Sequence, residues 1–176
     1  MPIRSFTIPE IPADEEERLA ALRRYEVLDT PPEPAFDAIV REAAATFNVP
    51  TAVISLVDRD RQWFKARIGL DPASTPRAPS FCGHAIHSDE VLTVPDAAAD
   101  ERFAGNPAVI SDSGVRFYAG APLVTPDGHR IGTLCLVDTT PRTPLSAQQA
   151  TKLRALADKV MKLLEARRKR ASPTKG

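Results

Sequence analysis

Residues Val115 to Val124 and Arg130 to Asp138 are two runs rich in β-branched and aromatic side chains, and they flank Thr125-Pro-Asp-Gly-His129. Pro126 presets its φ and Gly128 tolerates a left-handed one, so the short connection predicts a tight hairpin and the flanks a strand pair. Val115, Phe117, Ala119 and Ala121 alternate onto one face. Ala119, Gly120, Ala121, Gly132 and Thr133 leave little side chain in the middle of both strands. Something must therefore approach the sheet closely there: a helix packed on the strands, or a ligand in a cavity.

The remaining chain supplies elements to cover such a sheet. Residues 1–12 contain Pro2, Pro9 and Pro12 with little periodicity and read as a flexible lead-in. Asp14 is placed to cap a helix running to about Val27, with Glu15, Glu16 and Glu17 in its first turn. Pro34 to Phe47 repeats Phe36, Ile39, Val40, Ala43 and Phe47 at helical spacing. Thr51 to Val57 is apolar on both alternating faces and reads as a central strand. After the turn at Asp58-Arg-Asp60, Gln62 to Ile68 reads as a strand in which Trp63 and Phe64 are core residues. A proline-rich loop from Gly69 to Pro79 leads to a short helix from Ser80 to His87 and a strand from Val91 to Val94. A helical turn lies near Pro107 to Ser111, and Pro144 and Ser146 open a last helix reaching about Arg168. Hairpins in place of regular crossovers predict an α+β domain, an antiparallel central sheet of five or six strands flanked by N- and C-terminal helices. The domain spans 13–168, and 169–176 is expected to be a basic, disordered tail.

Charge and cysteine usage exclude several functions. Lys plus Arg (23) equals Asp plus Glu (23), so no overall field recruits nucleic acid or an anionic membrane. The basic end, Arg167 to Arg170, is explained by the helix dipole. No apolar run approaches a bilayer span or a signal-peptide core, so a cytoplasmic protein is expected. Two cysteines are too few for a disulfide framework. Walker-type glycine loops, nucleophile elbows and His-Glu-x-x-His are not found, and the residues name no cofactor.

The candidate chemistry is confined to a few side chains. Ser80 as N-cap places Cys82 in the first turn of the short helix, where amide groups lower a thiol pKa; Cys82 is expected to label faster than Cys135, which sits in a strand between leucines. His84 and His87 share a helical face, a spacing open to a metal or a haem iron, but two ligands do not make a site; they read as hydrogen-bonded histidines at a pocket rim and no metal is assigned. Arg102 is expected to pair with a loop carboxylate. Arg116 could anchor an anion or make a structural contact, and Tyr118 could stack on a ring. Leu153, Leu156, Val160 and Leu163 form either a coiled-coil-like seam for a homodimer or one face packed on the chain's own sheet.

Several of these blocks resemble one family. Arg116-Phe-Tyr-Ala-Gly-Ala-Pro-Leu123, then Ile131-Gly-Thr-Leu-Cys-Leu-Val-Asp138 with Pro141-Arg142, look like the last two strands of a GAF domain of the kind that precedes bacterial histidine kinases and diguanylate cyclases. Leu28-Asp-Thr-Pro-Pro32, Ser55-Leu-Val-Asp58, Arg61-Gln-Trp-Phe-Lys65, Ser80-Phe-Cys-Gly-His-Ala-Ile86, Val94-Pro-Asp-Ala97 and Asp100-Glu-Arg-Phe103 with Asn106-Pro107 match in order, so the resemblance spans about Glu17 to Leu164. It implies a sensory module in signal transduction that binds a small molecule on its sheet, here near Cys82, His84, His87, Arg116, Tyr118 and Ala121. No effector motif follows the last helix, so the signal is expected to pass to a separate effector protein or the second subunit of a homodimer. The alternative is a thiol enzyme resembling free methionine-(R)-sulfoxide reductase, similar around Cys82-Gly83-x-Ala85. That chemistry requires a cysteine where this chain has Phe103 to Gly114 and none. The bilin-linking Cys-His pair is interrupted by Gly83, and the Asn-Lys-Phe-Asp-Glu signature of cyclic-nucleotide GAF domains is not found.

Overall fold

The computed structural model describes residues 5–171. In chain order the elements are α1 (Glu15–Arg24), α2 (Pro34–Phe47), β1 (Thr51–Val57), β2 (Arg61–Ile68), β3 (Ser74–Pro76), α3 (Cys82–Ala85), β4 (Leu92–Val94), a 3-10 turn (Ala97–Ala99), α4 (Pro107–Ile110), β5 (Phe117–Val124), β6 (Arg130–Asp138) and α5 (Ala147–Ala171). The strands form one six-stranded sheet of order β3-β2-β1-β6-β5-β4. Every pairing is antiparallel, with β1 and β6 at the centre. This is the expected α+β architecture.

Alternation along the strands sorts the core into two layers. Ala52, Ile54 and Leu56 of β1, Phe117, Ala119, Ala121 and Leu123 of β5, and Leu134 and Leu136 of β6 share a cluster with α1, α2 and α5. Val53, Val57, Tyr118 and Cys135 point to the opposite layer, with Phe81, Cys82 and Phe103. The small residues of β5 are thereby divided. Ala119 and Ala121 are 0% exposed against α5, whose Leu153, Ala157 and Val160 occupy the same cluster. Close helix packing is the reason they are small. The same packing accounts for Leu153, Leu156 and Val160, at 0%, 5% and 0% exposure: the apolar seam of α5 is spent on the chain's own sheet. Val115, expected on the face of Phe117, precedes the strand and packs with the second layer.

Several boundaries differ from expectation for local reasons. The first helix ends at Arg24 because Glu26 (φ 50°) and Asp29 (φ 62°) are left-handed. Asp14 makes no side-chain cap bond; its carboxylate accepts from His129 Nδ1 at 2.8 Å. By contrast, α2 begins at Pro34 in the first helical turn and stops where Asn48 turns left-handed at φ 52°, both legible endings.

The lead-in is docked over residues 5–12. Thr7 N donates to Arg102 O (2.8 Å) and Gly105 N to Ser5 O (3.0 Å). Pro9 is buried against Gly83, where a Cβ would come within 2.7 Å of the proline ring. Residues 1–4 lie outside the described residues. Arg167 donates to Glu33 and to the carbonyls of Tyr25 and Glu26, and α5 continues through 169–171, so the expected disordered tail does not begin at 169; residues 172–176 lie outside the described residues.

Gly83→Ala places a methyl group against Pro9 and should lift this strap. The expected result is faster amide exchange and protease cleavage within residues 5–12, with the sheet amides unchanged. Unaltered protection would show that the strap is held without this contact.

Candidate functional site

The sheet face opposite the long helices is covered by α3, α4 and their loops, and between them lies a cavity of about 440 Å³, within the range of small-molecule sites. Val53, Phe64, Phe81, Val115, Tyr118 and Val137 supply its apolar walls, and Gln62, Thr75, Cys82 and Cys135 its polar points. None of the described residues lining it is Asp, Glu, Lys, Arg or His. A second cleft of about 540 Å³, between α2 and the end of β2, is lined by Asp37, Arg41, Arg67 and Asp71 and is open to solvent. The sheet-side cavity is the more sheltered of the two.

Its floor is a cluster of soft and hydroxyl groups. The Tyr118 hydroxyl donates to Cys82 Sγ at 3.2 Å, and Thr133 Oγ1 lies 3.1 Å from the same sulfur. A hydrogen bond from the Cys135 thiol is the largest influence on Cys82. With those from Thr133 and Tyr118 it outweighs burial and brings the Cys82 pKa down to about 7. The bond to Cys82 and burial push Cys135 well above the ordinary thiol value. Burial likewise raises Tyr118. These are side-chain influences; α3 is a single turn of four residues, so its N-terminus is not the cause that the sequence suggested.

Gly120 makes the geometry accessible. A Cβ at Gly120 would fall 2.3 Å from the Tyr118 hydroxyl oxygen, so the absent side chain lets the tyrosine lie across the strand and reach Cys82. Phe81 stacks on Phe103 (centroids 4.1 Å apart) and tilts against Tyr118 (5.1 Å), fixing one wall. Ser55 donates to Gln62 Oε1 (3.0 Å) and Gln62 Nε2 to Thr75 Oγ1 (2.8 Å), a polar line along the other wall.

The family model for the GAF domain matches residues 31–164. The chain belongs to this family. A cyclic di-GMP phosphodiesterase of Pseudomonas aeruginosa is 42% identical over 153 residues, which is 87% of this chain and 26% of that protein, so the chain spans about a quarter of that relative's length. Among solved structures, the free methionine-R-sulfoxide reductase of Neisseria meningitidis in complex with its substrate superposes with TM-score 0.63 at 20% identity, covering 97% of this chain and 100% of the other. The GAF domain of an Acinetobacter phosphoenolpyruvate-protein phosphotransferase gives 0.60 at 19% identity, covering 85% and 94%. Both establish the fold.

In this GAF domain the structure brings Cys82 and Tyr118 together and separates the other candidates from them. His84 donates from Nε2 to Thr7 O (3.0 Å) and His87 to Glu10 O (2.7 Å): they hold the strap. Burial lowers the His84 pKa, consistent with a neutral ring whose Nε2–H is the donor. Among the described residues no group of three or more His, Cys, Asp or Glu could hold a metal ion. Arg116 caps α4, donating to Val109 O (2.7 Å) and Val115 O (3.0 Å), so its contact is structural. Arg102 pairs with Asp100 as expected (2.7 Å). Ala121 is corrected: alternation turns it to α5, away from the cavity. Cys135, read as an inert strand residue, belongs to the cavity floor. The missed signal was periodic: Thr133, Cys135 and Val137 alternate with leucines on β6, so a cysteine at that spacing shares a face with a threonine.

Proposed function

We propose that this GAF domain is a sensory module binding a small, uncharged, largely apolar molecule in the sheet-side cavity and acting on a signalling effector. The observation that carries the reading is the wall itself: a cavity of this size without ionisable Asp, Glu, Lys, Arg or His leaves a charged ligand without compensation for its desolvation. Gln62, Thr75 and the Tyr118 hydroxyl supply hydrogen bonds for one or two polar atoms. The P. aeruginosa relative supports a cyclic di-GMP enzyme as the class of effector, with the doubly charged nucleotide itself a poor match for the cavity. No helix among the described residues is long and apolar enough to cross a membrane. A homodimer, if formed, uses a surface other than the α5 seam.

Matched probes test the reading. Indole at a concentration well above its Kd should raise the melting temperature by about 5–10 °C, whereas indole-3-acetate should not. Val137→Phe, which fills the cavity wall, should remove the shift while the unliganded protein keeps its melting temperature. Equal stabilisation by the anion would refute the uncharged class. Turnover of free methionine sulfoxide that Cys82→Ser abolishes would replace the sensory reading with the thiol-enzyme one.

A further inference from the structure

The cavity floor carries two thiols that the ligand-binding reading does not use. Cys82 and Cys135 come from different elements, α3 and β6, and both line the same cavity although they are 2% and 4% exposed. The Cys82 sulfur is held between the Tyr118 hydroxyl at 3.2 Å and the Thr133 hydroxyl at 3.1 Å. Cys135 lies two positions beyond Thr133 and hence on the same face of β6. Both side chains belong to the same buried cluster, with Tyr118 between the helix and the strand that carry them.

We propose that Cys82 and Cys135 are a reversible thiol–disulfide pair, with Cys82 as the attacking sulfur, Cys135 as the resolving one, and small uncharged hydroperoxides as the oxidant. The asymmetry of the pair sets the roles. The Tyr118 hydroxyl donates to Cys82 Sγ and the Thr133 hydroxyl lies beside the same sulfur, which favours the thiolate at Cys82, whereas the nearness of Cys82 and burial push the Cys135 thiol up, so that it keeps its proton until it is needed.

The step balances as follows. The Cys82 thiolate attacks the terminal oxygen of ROOH; the O–O bond breaks, Cys82 becomes a sulfenic acid, and ROH leaves with a proton donated through the Tyr118 hydroxyl. Cys135, losing its proton, then attacks the Cys82 sulfur. The S–O bond breaks, water leaves and the S–S bond forms, so two thiols reduce one hydroperoxide to an alcohol and water. The cavity suits this reagent: hydrogen peroxide is neutral and small enough to reach sulfurs closed to bulkier agents. Tyr118 and Gly120 are positioning residues, the first donating to the attacking sulfur and the second leaving it room to do so.

The experiment uses hydrogen peroxide in equimolar amount on the reduced full chain. The expected product has lost two hydrogens by intact mass, contains a Cys82–Cys135 cross-linked peptide and returns to the starting mass with dithiothreitol. Cys135→Ala should stop at a dimedone-reactive sulfenic acid on Cys82, and Cys82→Ala should remain unoxidised at that dose. Gly120→Ala should shift the pH midpoint of Cys82 alkylation upward, which a merely structural glycine would not do. Overturning results are a wild type that keeps two free thiols, one that accumulates sulfinic acid at Cys82 without the cross-link, or disulfides formed only between chains. If neither alanine variant retains a native circular dichroism spectrum, the cross-linked peptide of the wild type still decides the matter.

Discussion

Glu15→Ala is expected to cost about 3–5 kcal/mol, a large part of a typical domain's stability, by leaving two buried guanidinium groups without their counterion. Arg18 and Arg77 are 1% and 4% exposed, and Glu15 is 8% exposed between them. The carboxylate accepts from Arg18 Nε and NH2, both at 3.0 Å, and from Arg77 NH2 at 3.1 Å. Arg77 NH1 also donates to Glu15 Oε1 (2.5 Å) and reaches the carbonyls of Asp58 (3.1 Å) and Arg59 (3.3 Å), while Arg18 NH1 donates to Val57 O (2.6 Å). Urea unfolding should show the loss as a lower midpoint at unchanged slope. A variant within about 0.5 kcal/mol of wild type would mean that water replaces the carboxylate.

Acid should erase part of the same difference. Burial pushes the Glu15 carboxyl up, but the hydrogen bonds from Arg77 and Arg18 prevail and take it from 4.5 to about 2. A depressed carboxyl stabilises the fold fully above its unfolded pKa and loses that contribution as pH falls through the folded one. The gap between wild type and Glu15→Ala should therefore be widest above pH 5 and close between about pH 4.5 and 2.

Val160→Lys should prevent folding altogether. Val160 is 0% exposed where α5 packs on the sheet, so the substitution buries an ammonium in the apolar cluster that it shares with Leu153, Leu156 and Ala119. The penalty, several kcal/mol for an unpaired buried ion, rivals the stability of a domain. The expected observation is loss of cooperative thermal unfolding. A seam between subunits would behave otherwise, yielding a folded monomer, and that outcome would overturn the packing described above. Leu163→Lys, at a partly buried position of the same helix, should fold.

These cases mark how far the chain could be read without its structure. Pro34 to Phe47 and Thr51 to Val57 were legible to the residue because one opens on a proline and follows a 3.6-residue period, while the other is apolar on both faces. The hairpin and the sheet class followed from Pro126-Asp127-Gly128. The tertiary partner of a face was not legible: Ala119 and Ala121 are small for the same steric reason beside a helix as beside a ligand. Glu15 and Arg18 look like solvated residues of a charged helix, and nothing local announces Arg77 as their third member. Cys82 was found by its position near a helix start, but what lowers its pKa comes from Cys135, Thr133 and Tyr118, which only the folded sheet assembles around it.

The ionic cluster also has a mechanical meaning. Glu15, Arg18 and Arg77 rivet α1 to the ends of β1 and β3 through directional bonds, so α1 cannot shift without stranding charge. The C-terminal half of α5 is moored as well, by Tyr25 to Glu165 and by Arg167 to Glu33. Its first turns meet the sheet through Leu153 and Leu156 and carry one long exposed pair, Arg154 to Glu90 at 3.4 Å. Packed helices shift by small sliding steps, and a close-packed contact passes such a step on to its neighbour. The fold thus holds α5 by ion pairs at its far end and by apolar packing on β5 at its near one, so a displacement of β5 would reach the helix first through Leu153 and Leu156.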